Sequence, residues 1–159
     1  MVDVGGKAET ERVAIARAFV RMQPATLKLI RANRVGKGNV LTTAQIAGMN
    51  AAKRTAELIP LCHPIPLSYV GVEFDFLRKP CGVVIVATAV ATAKTGVEME
   101  ALTAVSVAAL TIYDMCKSAD RAMSVSHVEL MYKAGGKSGA WKRGNSPSPL
   151  VGEGRVSGA

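Results

Sequence analysis

The spacing of apolar residues changes several times along this chain, and each change predicts an element. Ala8 to Met22 reads as a helix, with Val13, Ala16, Phe19 and Val20 on one stripe and Glu9, Glu11, Arg12 and Arg17 elsewhere. Pro24 suits the first turn of a second, short helix through Leu27, Leu29 and Ile30, ended by the Gly36-Lys37-Gly38-Asn39 loop. Thr42 and Gln45 have the capping-box spacing and open a third helix to about Leu58. Pro60, Pro64 and Pro66 then impose a stiff, irregular connection.

The second half begins with period two. Val70, Val72, Phe74 and Phe76 face one side of a strand from Ser68 to Phe76, and Tyr69, Glu73 and Asp75 face the other. Pro80 and Gly82 mark a hairpin turn. Val83 to Thr92 is apolar or small on both faces, which places it at the centre of a sheet or under another subunit. A long helix from Gly96 to about Ser118 follows, then a last strand, Ser124 to Lys133, with Val128, Leu130 and Tyr132 on one face. One domain is expected over residues 1–142, with a disordered Pro/Gly/Ser-rich tail over 143–159. Helices, then strand–strand–helix–strand, predict an α+β fold with helices packed on one face of an antiparallel sheet.

The long helix is the most informative segment. Its apolar run, Ala101 to Ile112, is 12 residues, well short of the about 20 that a membrane span needs. A buried helix is expected, with no membrane partner. Ionisable groups cluster at its ends: Glu98 and Glu100 at the start, Asp114 and Lys117 at the finish. Thr95 and Glu98 have capping-box spacing, and both glutamates complement the positive helix N-terminus. Asp114 and Lys117, at i and i+3, are either a surface salt bridge or an acid–base pair in a partly desolvated pocket, where burial would lower the lysine pKa. Glu98 and Asp114 are 16 residues apart, or about 24 Å along a helix. If both ends serve one compact site, a second subunit must supply one of them.

Composition narrows the partners. In 159 residues, hydrophobic side chains are 49% and aromatic ones 4%, so the core is aliphatic. A net charge of +8 favours polyanions: nucleic acid, a membrane surface or a phosphorylated small molecule. Cys62, Cys81 and Cys116 are odd in number and lack C-x-x-C spacing, which argues against disulfides, zinc and iron–sulfur clusters. Met1-Val2-Asp3 shows no signal-peptide pattern, so a reducing cytoplasm is expected.

Two loops hold candidate chemistry. Gly135-Gly136-Lys137-Ser138-Gly139 shares the end of a P-loop, but Met131 stands where the first glycine is required and no helix follows. Its amides, with Lys133 and Lys137, suit phosphate oxygens; the plainer reading is solvated lysines in a turn. His63, in Cys62-His63-Pro64, is a general acid or base or a structural histidine hydrogen-bonded to backbone. No second Cys or His lies at ligand spacing, so no metal site is expected, and His127 reads as surface.

With these residues in hand, the chain resembles the MoaC family, the cyclic pyranopterin monophosphate synthases of molybdenum cofactor biosynthesis. The resemblance rests on Leu58-Ile59-Pro60-Leu61-Cys62-His63-Pro64, on Thr95-Gly96-Val97-Glu98-Met99-Glu100-Ala101-Leu102-Thr103-Ala104, and on shorter strings. Those include Met1-Val2-Asp3-Val4, Lys37-Gly38, Ala51-Ala52-Lys53-Arg54-Thr55 and Lys133 with Gly135 to Gly139. It implies a ferredoxin-like fold in a homohexamer, a trimer of dimers with sites at dimer interfaces. The implied reaction is a lyase step: 3′,8-cyclo-7,8-dihydroguanosine 5′-triphosphate becomes cyclic pyranopterin monophosphate with release of pyrophosphate. A separate radical cyclase would supply the substrate. No redox cofactor is implied, and magnesium can accompany the triphosphate.

The same resemblance makes Asp114 and Lys117 the catalytic pair, with His63 assisting. It makes Lys37, Cys62, Glu98, Met99, Glu100 and Lys133 substrate-binding, with Lys7 and Arg12 as phosphate ligands. The chain departs from the family pattern at its ends, where a short N-terminal extension is missing and the tail is added. A rival from another class is a non-catalytic basic module binding RNA or another anion through the same lysines. Scarce aromatics for base stacking and the buried-looking Glu98, Glu100 and Asp114 weigh against it.

Overall fold

Thr10–Arg21 is a strand, β1, and not the helix its stripe of apolar residues predicts. Ala14, Ala16, Ala18 and Val20 are fully buried on one face, while Val13, Ile15 and Arg17 sit half-buried on the other. Both a period of two and a period of 3.6 fit this stretch, and alanine favours a helix. Pairing decides the outcome: β1 lies between two other strands, so its backbone is hydrogen-bonded along both edges.

The computed structural model describes residues 1–144, and the tail expected from 143 onward lies almost wholly outside the described residues. After β1 come α1 (Pro24–Arg31), α2 (Val40–Lys53), α3 (Thr55–Leu58), β2 (Tyr69–Arg78), β3 (Cys81–Ala93), α4 (Glu98–Cys116), β4 (Ser124–Ala134) and β5 (Trp141–Lys142). The order across the sheet is β2-β3-β1-β4-β5, with every neighbouring pair antiparallel. Strand, helices, two strands, helix and strand in this order form the split βαβ arrangement of ferredoxin-like folds. The short edge strand β5 was not expected.

The third predicted helix is split by Arg54 into α2 and α3. It starts earlier than the Thr42–Gln45 spacing indicates: Asn39 is the cap, its side chain accepting from the Thr42 amide at 3.0 Å. Gln45 instead donates to the Val72 carbonyl, tying α2 to β2. β3 is central, between β2 and β1, with Val83, Ile85, Ala87, Ala89 and Ala91 fully buried under the helices. Its other face, with Val84, Val86 and Val90, is half-buried within one chain.

β4 also corrects an expectation. Its pairing with β1 shifts register twice, so Leu130 lies opposite Ala16 on the helix face and Tyr132 opposite Ile15 on the other. The extra residues are β-bulges. At one of them His127 takes a left-handed φ of 52°. Val128, Leu130 and Tyr132 therefore do not share a face.

α4 is the centre of the core. Ala101, Ala104, Val105, Ala108, Ala109 and Ile112 are all fully buried against the alanines of β1 and β3. By length and composition α4 is apolar enough to cross a membrane, yet 56% of its apolar window is buried inside this fold. Past its end, Asp120 is 3% exposed and accepts from the Gln23 amide at 2.8 Å and the Thr26 hydroxyl at 3.2 Å. A residue distant in sequence thus caps α1, whose own Gln23 provides no side-chain cap.

Candidate active site

The start of α4 meets the ends of β1, β3 and β4 around a cleft of about 750 Å³. Val97 precedes the helix and no side chain caps it, so the predicted Thr95–Glu98 capping box does not form. Glu98 instead accepts from Lys133 Nζ at 2.9 Å. Lys7, Arg12, Lys94, Lys133 and Lys137 line the cleft, and Glu98 is the one carboxylate among its lining residues. Of the candidates the sequence offers, Lys7, Arg12, Lys133, Lys137 and Glu98 lie here; Lys94 is an addition, directly preceding the Thr95-Gly96 turn that opens α4.

Backbone holds two of the cations in place. Arg12 donates from Nε to the Ala93 carbonyl at 3.2 Å and from an Nη to the Lys94 carbonyl at 3.4 Å. Lys94 Nζ donates to the Gly5 carbonyl at 2.9 Å. Gly135 and Gly136 have φ of 106° and 69°, and a methyl group on Gly136 would collide with the Arg12 guanidinium. The glycine pair therefore gives both the left-handed turn and the space for Arg12 beside it.

Glu100 lies on the same first turn but points into the fold, 2% exposed, with Oε2 lacking any hydrogen-bond partner among the described residues. Burial pushes its pKa up, and the charge of Glu98 adds to this. Cys62 is its neighbour: burial raises the thiol pKa first, and the charges of Glu100 and Glu98 raise it further, against a lowering backbone hydrogen bond from His63. Cys62 thus lies within the field of Glu100 and Glu98, and Met99 is half-buried on the turn between the glutamates, but of these residues only Glu98 lines the cleft of about 750 Å³. Glu100 also borders a cleft of about 290 Å³ shared with Lys53, Arg54 and Pro64.

The other end of α4 carries a separate cluster. Asp114 accepts from Lys37 Nζ and forms a salt bridge with Lys117, each at 2.7 Å. Hydrogen bonds from Lys117 and then Lys37 hold the Asp114 pKa down at about 2, and Asp114 in turn raises that of Lys117. Of the two readings of this pair, the single chain shows the surface salt bridge: the Lys117 side chain is 55% exposed, and the bond to Asp114 outweighs desolvation. Lys37 joins this cluster, not the cleft with Lys133. No group of three His, Cys, Asp or Glu suited to a metal occurs among the described residues.

The fold and these clusters define a small antiparallel α+β protein with an anion-suited cleft at one end of its central helix and an acid–lysine pair at the other. The family model described as "MoaC family" matches residues 1–136, and the chain belongs to that family. It is 58% identical over 142 residues to a protein of Bordetella avium named cyclic pyranopterin monophosphate synthase, covering 89% of this chain and 88% of that one. A relative of the same name from Novosphingobium aromaticivorans is 58% identical over 142 residues, with 89% of each chain covered. Another, from Thermomicrobium roseum, is 54% identical over 143 residues, 90% of this chain and 86% of its own.

Proposed function

We propose that this chain is a cyclic pyranopterin monophosphate synthase, a lyase of molybdenum cofactor biosynthesis. It converts 3′,8-cyclo-7,8-dihydroguanosine 5′-triphosphate to cyclic pyranopterin monophosphate and pyrophosphate. The observation that carries this reading is the cleft at the start of α4, lined by five cations and a glycine pair in a chain of the MoaC family. A triphosphate needs such a cluster, and cations on the departing pyrophosphate lower the cost of its leaving.

In this reading Lys7, Arg12 and Lys133 bind phosphates in the cleft, and Glu98, Met99, Glu100 and Cys62 border the ring-binding side, with His63 assisting proton transfer. Lys117, held by Asp114, is the general acid or base of the ring rearrangement, and Lys37 contacts substrate beside it. The two ends of α4 meet only if a second subunit brings its Asp114–Lys117 end to the first subunit's cleft. The half-buried Val84, Val86 and Val90 face is apolar surface suited to such pairing. We extend the reading to a homohexamer, a trimer of dimers with interface sites, in the cytoplasm. A radical cyclase supplies the substrate, magnesium can accompany the triphosphate, and no redox cofactor takes part.

The test is incubation with the cyclised triphosphate while pyrophosphate and pterin are followed. Stoichiometric formation of both supports the reading. Absence of turnover, together with RNA affinity of steep salt dependence, would favour the non-catalytic binding module.

A further inference from the structure

We propose that the cleft between α1 and the β2–β3 hairpin is a second anion site, for a phosphorylated small molecule with an apolar or aromatic body, such as a nucleotide. Its volume, about 490 Å³, is that of a small-ligand pocket, and it shares no lining residue with the cleft at the start of α4. Lys28, Arg31 and Arg78 line it together with Pro24, Leu27 and Cys81, and no carboxylate does. Lys28 and Arg31 are three residues apart on α1, hence on one helix face. Arg78 ends β2 and pairs with Cys81 across the hairpin.

Charge separates this cleft from an ordinary basic surface. In the cleft at the start of α4, Lys133 is matched by Glu98, whereas no carboxylate lines this one. The side chains of Lys28, Arg31 and Arg78 make no ion pair or hydrogen bond among the described residues, so their convergence leaves a repulsion that a bound anion would relieve. Arg31 lies 5.4 Å from the Phe76 ring centroid, a stacking contact that restrains its guanidinium plane. A restrained guanidinium suits bidentate contact with phosphate oxygens. The apolar wall of Pro24, Leu27 and Cys81 has no use for a bare inorganic ion, and it favours a ligand with a ring to lay there.

Cys81 is a built-in reporter. The full chain is alkylated with a neutral thiol reagent, and labelling is read peptide by peptide so that Cys81 is separated from Cys62. ATP at about ten times its dissociation constant should slow Cys81 labelling about tenfold by mass action, with inorganic pyrophosphate protecting more weakly. The Arg31→Ala/Arg78→Ala variant should lose this protection while keeping its circular dichroism and its turnover. Lys28→Ala, at an exposed helix position, should weaken it and serves if the double variant misfolds. Calorimetry of ATP binding to Cys81→Ser checks the affinity directly. Unchanged Cys81 labelling with ATP, or protection that survives loss of all three cations, overturns the site. Protection by an acidic peptide and not by ATP overturns it in favour of protein docking.

Discussion

Lys133 Nζ lies 2.9 Å from Glu98 Oε1, joining the end of β4 to the first turn of α4 across 35 positions of sequence. The spacing that reads as a capping box does not act as one because α4 starts at Glu98 with Val97 before it, which leaves Thr95 outside the cap position. The Glu98 carboxylate takes a charge-assisted bond from lysine instead. The glutamate is turned toward the cleft, where its charge counts.

Gly136→Ala tests how that cleft is built. The added methyl meets the Arg12 guanidinium in a backbone conformation that alanine disfavours. Arg12 must move from the Ala93 and Lys94 carbonyls, so KM should rise about tenfold or more with a smaller change in kcat. Steady-state kinetics check this, and an unchanged KM would remove Arg12 from the phosphate site.

Asp114→Asn and Lys117→Ala should each lower kcat by about 10²–10⁴-fold, the usual worth of a general acid or base. Near-normal turnover in either variant would sink the scheme. Asp114 is depressed to about 2, so it ionises above that pH, and raised Lys117 stays protonated into strongly alkaline solution. In the isolated chain their pair is intact across the neutral range. It is lost only as pH falls through about 2 or rises through the lysine pKa. If a pH–rate profile shows Lys117 titrating near neutrality, its environment in the working assembly differs from the single chain.

Mixing supplies a direct test of shared sites. Chains carrying Glu98→Ala and chains carrying Asp114→Asn, each inactive alone, should regain about a quarter of wild-type activity when reassembled at equal amounts, because half the dimers are mixed and each has one intact site. Activity that stays at the level of the parents would mean both ends of α4 do not serve one site.

Glu100→Gln separates burial from charge. The folded pKa of Glu100 is raised above its ordinary 4.5, so the folded state holds the proton more tightly than the unfolded one. Wild-type stability relative to the glutamine variant should therefore fall as pH rises from 4.5 through the folded pKa, then level off. Urea unfolding at a series of pH values reads the difference; a flat difference would mean that Glu100 finds a partner when charged.

Asp120→Ala should cost about 2 kcal/mol, since it strands two donors at the start of α1. Thermal unfolding measures this, and a loss under a few tenths would show that water takes over the cap.

The sequence was read best where one physical demand dominated. Alternating valines and phenylalanines made β2 legible, and an apolar helix with charged ends made α4 legible. β1 was misread because Ala14, Ala16 and Ala18 carry helix propensity while sitting where a strand needs small side chains under α4. The bulges of β4 leave no mark on hydrophobic spacing, so Leu130 and Tyr132 were put on one face. At the candidate site, the charged residues at both ends of α4 stand out in the sequence as candidates. Which lysine goes with which acid does not, because Lys37–Asp114 and Lys133–Glu98 are contacts made by the fold. Asp120 gave no signal for the same reason.

The length of α4 has a consequence of its own. An extra residue within it would advance its far end by about 1.5 Å and turn it by about 100°. Glu98 would keep Lys133 while Asp114 swung away from Lys37, or the reverse. The helix is a ruler with chemistry at both marks, so insertions and deletions in proteins built this way should fall in the loops and spare the span between the first glutamate and the last lysine.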